Sequence, residues 1–190
     1  MRPKVTQILA ITASLTLLLL SSFYAEARAS KKSFLASVQS ELASAPQDNE
    51  VCFSPVDPCA AKLVKFIDSA TSSIDIAIYD INLDQVGHAL LVKSKSVKIR
   101  MVVDQRQSKE KNSIVPLLLK AGINLKIGHQ RGIMHNKFTI IDGKRIETGS
   151  FNYTNHASEA NNENQIYLST PSIVSRYKDR FEEIWREARD

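Results

Sequence analysis

The strongest constraint on the fold is the interleaving of strand-like and helix-like apolar patterns from Asp57 onward. "SIDIAIYDI" (73–81) alternates apolar and polar residues and is rich in β-branched types, so it reads as a strand. "LDQVGHALLVKSKS" (83–96) has a helical period, and "VKIRMVVD" (97–104) is again a strand. "EKNSIVPLLLKAG" (110–122) reads as a helix kinked or restarted at Pro116 and ended by Gly122, followed by a short strand, "INLKI" (123–127). "KFTIIDGKRIETGS" (137–150) is a hairpin turning at Asp142-Gly143, and "NQIYLST" (164–170) is one more strand. At the two ends of this series, Asp57 can cap a helix starting at Pro58, and Thr170 one starting at Pro171. Strands alternating with helices in this way predict an α/β domain: a mixed β-sheet flanked by helices on both faces.

The 190 residues suffice for one such domain and not for two full cores. Residues 1–29 read as a secretory signal. Arg2 and Lys4 precede a 13-residue apolar run, Ile8 to Leu20, and "AEARA" (25–29) offers cleavage after Ala27 or Ala29. The run is short for a membrane span, which needs about 20 apolar residues, so no stable membrane insertion is expected after cleavage. An uncleaved N-terminal anchor is the alternative. Residues 30–50 are a polar lead-in, and 51–190 the compact domain.

Export is consistent with the cysteines. Cys52 and Cys59, the only two, bracket "CFSPVDPC". In an oxidising compartment, periplasmic or extracellular, a disulfide between them would stabilise the fold by about 2.5 kcal/mol on the loop-entropy model. Two small buried thiols are the other reading. Cleavage after Ala27 removes two cations and one anion and takes the formal charge from +5 to +4. That balance suits an anionic partner, nucleic acid or a phospholipid surface, without selecting either.

The chemistry concentrates in "MHNKFTIID" (134–142) and "ETGSFNYTN" (147–155). Residues two apart on a strand share a face, so His135 lies beside Lys137, and Ser150 beside Asn152 if that segment is also extended. Gly149 would let a ligand or another backbone come close. A neutral imidazole is a nucleophile and a protonated one a proton donor. Lysine, serine and asparagine donate hydrogen bonds to phosphoryl oxygens. The set suits phosphodiester cleavage. It suits a metal poorly, because Lys137 would set a like charge beside the cation. Glu163 supplies a carboxylate that could orient the imidazole.

These residues, "HNKFTIID" followed by "GSFN", resemble the HxKxxxxD–GSxN signature of the phospholipase D superfamily, with Glu163 where that family has a further acidic residue. The likeness is greatest to its small, single-motif bacterial endonucleases and extends over nearly all of 50–190. It implies a phospholipase D-like fold with one motif per chain, no metal and no cofactor. It also implies a catalytic set of His135, Lys137, Asp142, Ser150, Asn152 and Glu163, with Lys137, Gly149, Ser150 and Asn152 binding substrate. In that family one histidine attacks phosphorus and a second protonates the leaving oxygen from the opposite side. One motif per chain therefore implies a homodimer presenting His135 twice.

Plainer readings stand beside these. Asp142-Gly143 is what a tight turn requires, so Asp142 can be structural. Ser150 and Asn152 can satisfy a turn, and Glu163 can be a solvated loop acid. His88 reads as structural, while His129, Arg131 and His156 are open between substrate contact and plain surface. For function, the first reading is an exported phosphodiesterase cutting DNA or RNA. The alternative is a phospholipase D acting on phosphatidylcholine-type lipids. A nucleic-acid-binding protein with a dead site is a third, disfavoured because His135 and Lys137 are both present.

Overall fold

The computed structural model describes residue 24 and residues 26–35, 49–128 and 132–190. The apolar run Ile8–Leu20, most of the lead-in, His129 and Arg131 lie outside the described residues. The chain divides into two units, Met1–Pro46 and Gln47–Asp190. In the first, residue 24 and residues 26–35 are helical and exposed. Among the described residues no helix is long and apolar enough to cross a membrane.

The second unit is built on one sheet. Its strands are β1 (Glu50–Ser54), β2 (Ser73–Ile78), β3 (Lys98–Asp104), β4 (Asn124–Gly128), β5 (Lys137–Ile141), β6 (Arg145–Gly149) and β7 (Glu163–Leu168). They lie in the order β1-β7-β6-β5-β2-β3-β4. β2, β3 and β4 run parallel to one another, and every other neighbouring pair is antiparallel. Helices α1 (Cys59–Asp68), α2 (Asp84–Lys93), α3 (Val115–Lys120), α4 (Asn155–Glu159) and α5 (Pro171–Glu187) complete it. The parallel pairs need crossovers, which α2 and α3 supply.

Strand alternation divides the core in two. Ile74, Ile76, Ile78, Met101 and Val103 pack beneath Leu63 and Ile67 of α1 and Val86 and Leu90 of α2. Ala77, Val102, Phe138, Ile140 and Ile146 face the other way, against Val174, Phe181 and Ile184 of α5. The expected mixed sheet with helices on both faces is what the chain forms.

Local departures have local causes. The helix expected over 110–122 is only Val115–Lys120, because Pro116 sits in its first turn, where a missing N–H costs nothing. Asp57 does not cap α1; Pro58 occupies that position, and the Asp57 carboxylate accepts from Phe53 N–H across the turn. β1 was absent from the sequence reading: it is a five-residue edge strand that ends just before Pro55. The short α4, capped by the Thr154 hydroxyl, was also absent. Cys52 of β1 and Cys59 of α1 form the disulfide. Asp142 and Gly143 both have positive φ (53° and 62°), as the tight turn demands.

A polar group is sealed inside the sheet face beneath α1 and α2. Thr139 and Glu147 sit opposite each other on β5 and β6. The Tyr153 hydroxyl donates to Glu147 Oε2 at 2.7 Å and also pairs with Thr139 Oγ1. Glu147 is 1% exposed. Burial pushes its carboxyl up to about 8 despite the opposing Tyr153 bond. Between the ordinary value of 4.5 and about 8, the folded chain holds a proton that the unfolded chain has lost. Thermal stability should therefore fall as pH rises through that window. Glu147→Gln, which keeps an acceptor for Tyr153, should flatten the Tm–pH profile there. Parallel profiles for the two proteins would contradict the assignment.

Candidate active site

β5 runs antiparallel to β2 and β6, so its first residue lies at the ends where β2, β3 and β6 finish. The His135 backbone is held at that edge through its neighbour Met134. Met134 is buried against the α5 side of the core, and its N–H donates to Asp104 Oδ2 at 3.0 Å. The other Asp104 oxygen accepts from Arg106 N–H (2.8 Å) and Gln107 N–H (3.3 Å). Asp104 is itself buried, so one carboxylate ties the end of β3 to the start of the motif.

His135 is exposed, and its ring meets Tyr79 edge to face, with centroids 4.6 Å apart. Lys137, the first residue of β5, is 8% exposed. Its Nζ lies 3.3 Å from each His135 ring nitrogen, donates to the His135 carbonyl at 3.1 Å and sits over the Tyr79 ring. Desolvation pulls the Lys137 ammonium below its ordinary value, while the nearby Glu163 carboxylate works against that fall. Tyr79 is held in turn by Gln107 Nε2, which donates to its hydroxyl at 3.0 Å. Sequence reasoning passed over Tyr79, Asp104 and Gln107. The available signal was position, since side chains at the carboxyl ends of parallel strands face the crevice where α/β proteins bind ligands.

The remaining residues converge from β6 and β7. Ser150 Oγ donates to Glu163 Oε2 and accepts from Asn164 N–H at 3.0 Å. Asn161 Nδ2 donates to Glu163 Oε1 at 3.0 Å. Both Glu163 oxygens are thus engaged, and within one chain Glu163 does not take the imidazole-orienting position expected of it. A Cβ on Gly149 would lie 2.1 Å from the Asn164 carbonyl oxygen, so only glycine lets β6 end this close to β7. Asn152 Oδ1 is buried and has no hydrogen-bond partner among the described residues. The next residue, Tyr153, is tied to the chain leaving β2 through Asp80, Asn82 and Leu83. His88 and His156 are exposed on α2 and α4.

Asp142 stands apart from this group. It lies beyond the far end of β5, five residues and roughly 16 Å of extended chain from Lys137. Its carboxylate accepts from the N–H groups of Thr71, Ser72 and Ser73 and from the hydroxyls of Thr71 and Ser72. Partial burial alone would raise its pKa, but those donors hold it well below the usual carboxylate range. It ties the β5–β6 turn to the chain entering β2, remote from His135 and Lys137.

The family model described as cardiolipin synthase, PLD-like domain, matches residues 63–185. A mitochondrial cardiolipin hydrolase of Chlamydomonas reinhardtii is 32% identical over 126 residues, 66% of this chain and 56% of its own length. A phospholipase D of Rickettsia conorii is 35% identical over 127 residues, 66% of this chain and 64% of its own. The chain thus spans less than two thirds of the length of either relative. Among solved structures, Nuc from Salmonella typhimurium, a phospholipase D family member, superposes with a TM-score of 0.71 at 28% identity, covering 75% of this chain and 97% of Nuc. NucT from Helicobacter pylori gives 0.67 at 25% identity, covering 74% and 97%. The chain belongs to the phospholipase D superfamily.

The clamp assignment of Asp142 has a direct check. Asp142→Ala should lower stability by about 2–3 kcal/mol, the scale of hydrogen bonds to a charged group, and leave kcat of the folded protein unchanged. The deficit should be full above the ordinary value of 3.8 and shrink as pH falls below it, because the unfolded chain takes up a proton that the native carboxylate still refuses. Loss of kcat in a variant of native stability would return Asp142 to the catalytic set.

Proposed function

We propose that this superfamily member is an exported, metal-independent phosphodiesterase that cleaves DNA or RNA internally, acting as a homodimer with a composite site. The observation that carries the reading is an exposed imidazole with an ammonium group against its ring, at the edge where Ser150 and Asn152 also end. Likeness to Nuc over 97% of that chain supports a compact single-motif enzyme. The basic charge of +5 and the Cys52–Cys59 disulfide fit an anionic polymer met outside the reducing cytoplasm. Residues 1–29 act as the signal, 30–50 as a lead-in and 51–190 as the catalytic domain.

Chemistry follows from the placement. A neutral His135 ring nitrogen attacks phosphorus and forms an N–P bond while the P–O bond to the departing strand breaks. The partner subunit's His135 gives that oxygen its proton. Water then attacks the phosphohistidine from the side the strand has left, passing a proton to the partner subunit's His135, and the N–P bond breaks. Lys137, Ser150 and Asn152 stabilise the charge on the non-bridging oxygens. Attacking and leaving atoms stand on opposite sides of phosphorus, so one imidazole cannot serve both.

The relatives named phospholipase D and cardiolipin hydrolase favour a second reading, in which the same chemistry acts on a phosphatidyl headgroup. The polar, basic flank "GHQRG" (128–132) favours nucleic acid over lipid.

The test is cleavage of plasmid and single-stranded DNA by the purified protein in excess EDTA, beside His135→Ala. Cleavage should survive the chelator and vanish with the variant. A folded wild type that leaves nucleic acid intact but releases choline from phosphatidylcholine vesicles would replace this reading with the lipid one.

A further inference from the structure

Residues Ile173, Arg176, Tyr177 and Arg180 recur at i, i+3, i+4 and i+7 on α5 and form one stripe along that helix. The stripe flanks a cavity of about 380 Å³ whose other wall is Asn136 and Phe138. That volume falls within the range of small-ligand sites and is of nucleotide size. Asn136 stands between His135 and Lys137 in the chain but faces the α5 side, so the cavity lies at the same sheet edge as the imidazole, on the opposite face of the strand.

Its lining has two chemistries. Phe138 is buried and packs edge to face on the half-buried Tyr177, with centroids 5.2 Å apart. Ile173 is also half-buried, so these side chains make an apolar floor. Arg176 and Arg180 are exposed on the rim. Arg180 makes an exposed ion pair with Glu183, and Arg176 makes none among the described residues. Neither guanidinium is committed to holding the fold. In a second basic cavity, by contrast, Lys62 is paired with Glu50 and Arg145 donates to Ser69.

We infer that this groove binds the polynucleotide strand flanking the scissile phosphate, with Arg176 and Arg180 on successive backbone phosphates and a base on the Tyr177–Ile173 floor. The two arginines are one helical turn apart, about 6 Å along the axis, close to the step between phosphates of an extended single strand. Such contacts supply affinity without sequence preference. The inference rests on the nuclease reading, and it predicts an effect on binding that is separate from chemistry.

The experiment measures fluorescence anisotropy of labelled oligothymidylate against the wild type, Arg176→Ala/Arg180→Ala and Arg176→Lys/Arg180→Lys, over a range of salt. Hydrolysis of a small diester, bis(p-nitrophenyl) phosphate, is measured alongside. The alanine pair should bind about tenfold more weakly and lower the slope of log K against log salt by about 1.4, roughly 0.7 for each lost phosphate contact. The lysine pair should recover most of the affinity, and small-diester hydrolysis should be unchanged in both. Unchanged oligonucleotide affinity in the alanine pair would overturn the groove. So would loss confined to sedimentation with phosphatidylglycerol vesicles, which would assign the arginines to a lipid surface. If the wild type binds through these arginines but cuts no strand, the groove stands and the nuclease reading falls.

Discussion

The bond that the arrangement depends on is the clamp of Asp142 on the chain entering β2. Its carboxylate gathers three consecutive N–H groups, from Thr71 to Ser73, and its own N–H donates back to Ser73. That fixes the register of β5 on β2 at the end remote from the site. Side chains alternate along a strand, so a slip of one residue would turn Lys137 from the α1 side to the α5 side and bring Asn136 into its place. Positive φ at Asp142 and Gly143 sets the hairpin at the same point. An acid in the family signature thus serves the histidine from a distance, through the strand that presents it.

At the other end of β5 the local environment has been traded towards electrostatic work. Lys137 is largely buried, bonds no carboxylate among the described residues and leans on an aromatic face, and desolvation disfavours its charge. Such a group gains most from an arriving phosphate. Asp104, Gln107 and Tyr79 form a brace around it, joining the end of β3 to Met134 and to the ring that touches His135. Ser150 and Glu163 form a second hydrogen-bonded group, linked to Lys137 by charge. These supports come from separate strand ends, which is how a shallow edge can hold several polar groups in fixed relation.

The period of apolar residues made β2, β3, β4 and the β5–β6 hairpin legible in the sequence, because each pattern is regular and bounded by turn residues. β1 was not legible: five residues with Cys52 and Ser54 inward and Val51 and Phe53 outward carry too little pattern beside Pro55. The site residues could be named from spacing, but their partners could not. Nothing in the order of residues says that Glu163 spends both oxygens on Ser150 and Asn161, or that Tyr79, 56 positions before His135, lies against its ring. Those facts arise from strand order β7-β6-β5-β2, which is tertiary. Asp142 shows the converse: it sits inside the motif, yet the fold sets it at the end of β5 away from His135.

The central claim is that one chain holds half of a reaction site. The most direct measurement follows the specific activity of the protein on a small phosphodiester through serial dilution, with sedimentation velocity on the same samples. Activity should fall in step with the dimer fraction, the isolated chain losing at least the hundredfold or so that a general acid contributes. A monomer that keeps full specific activity would contradict the account.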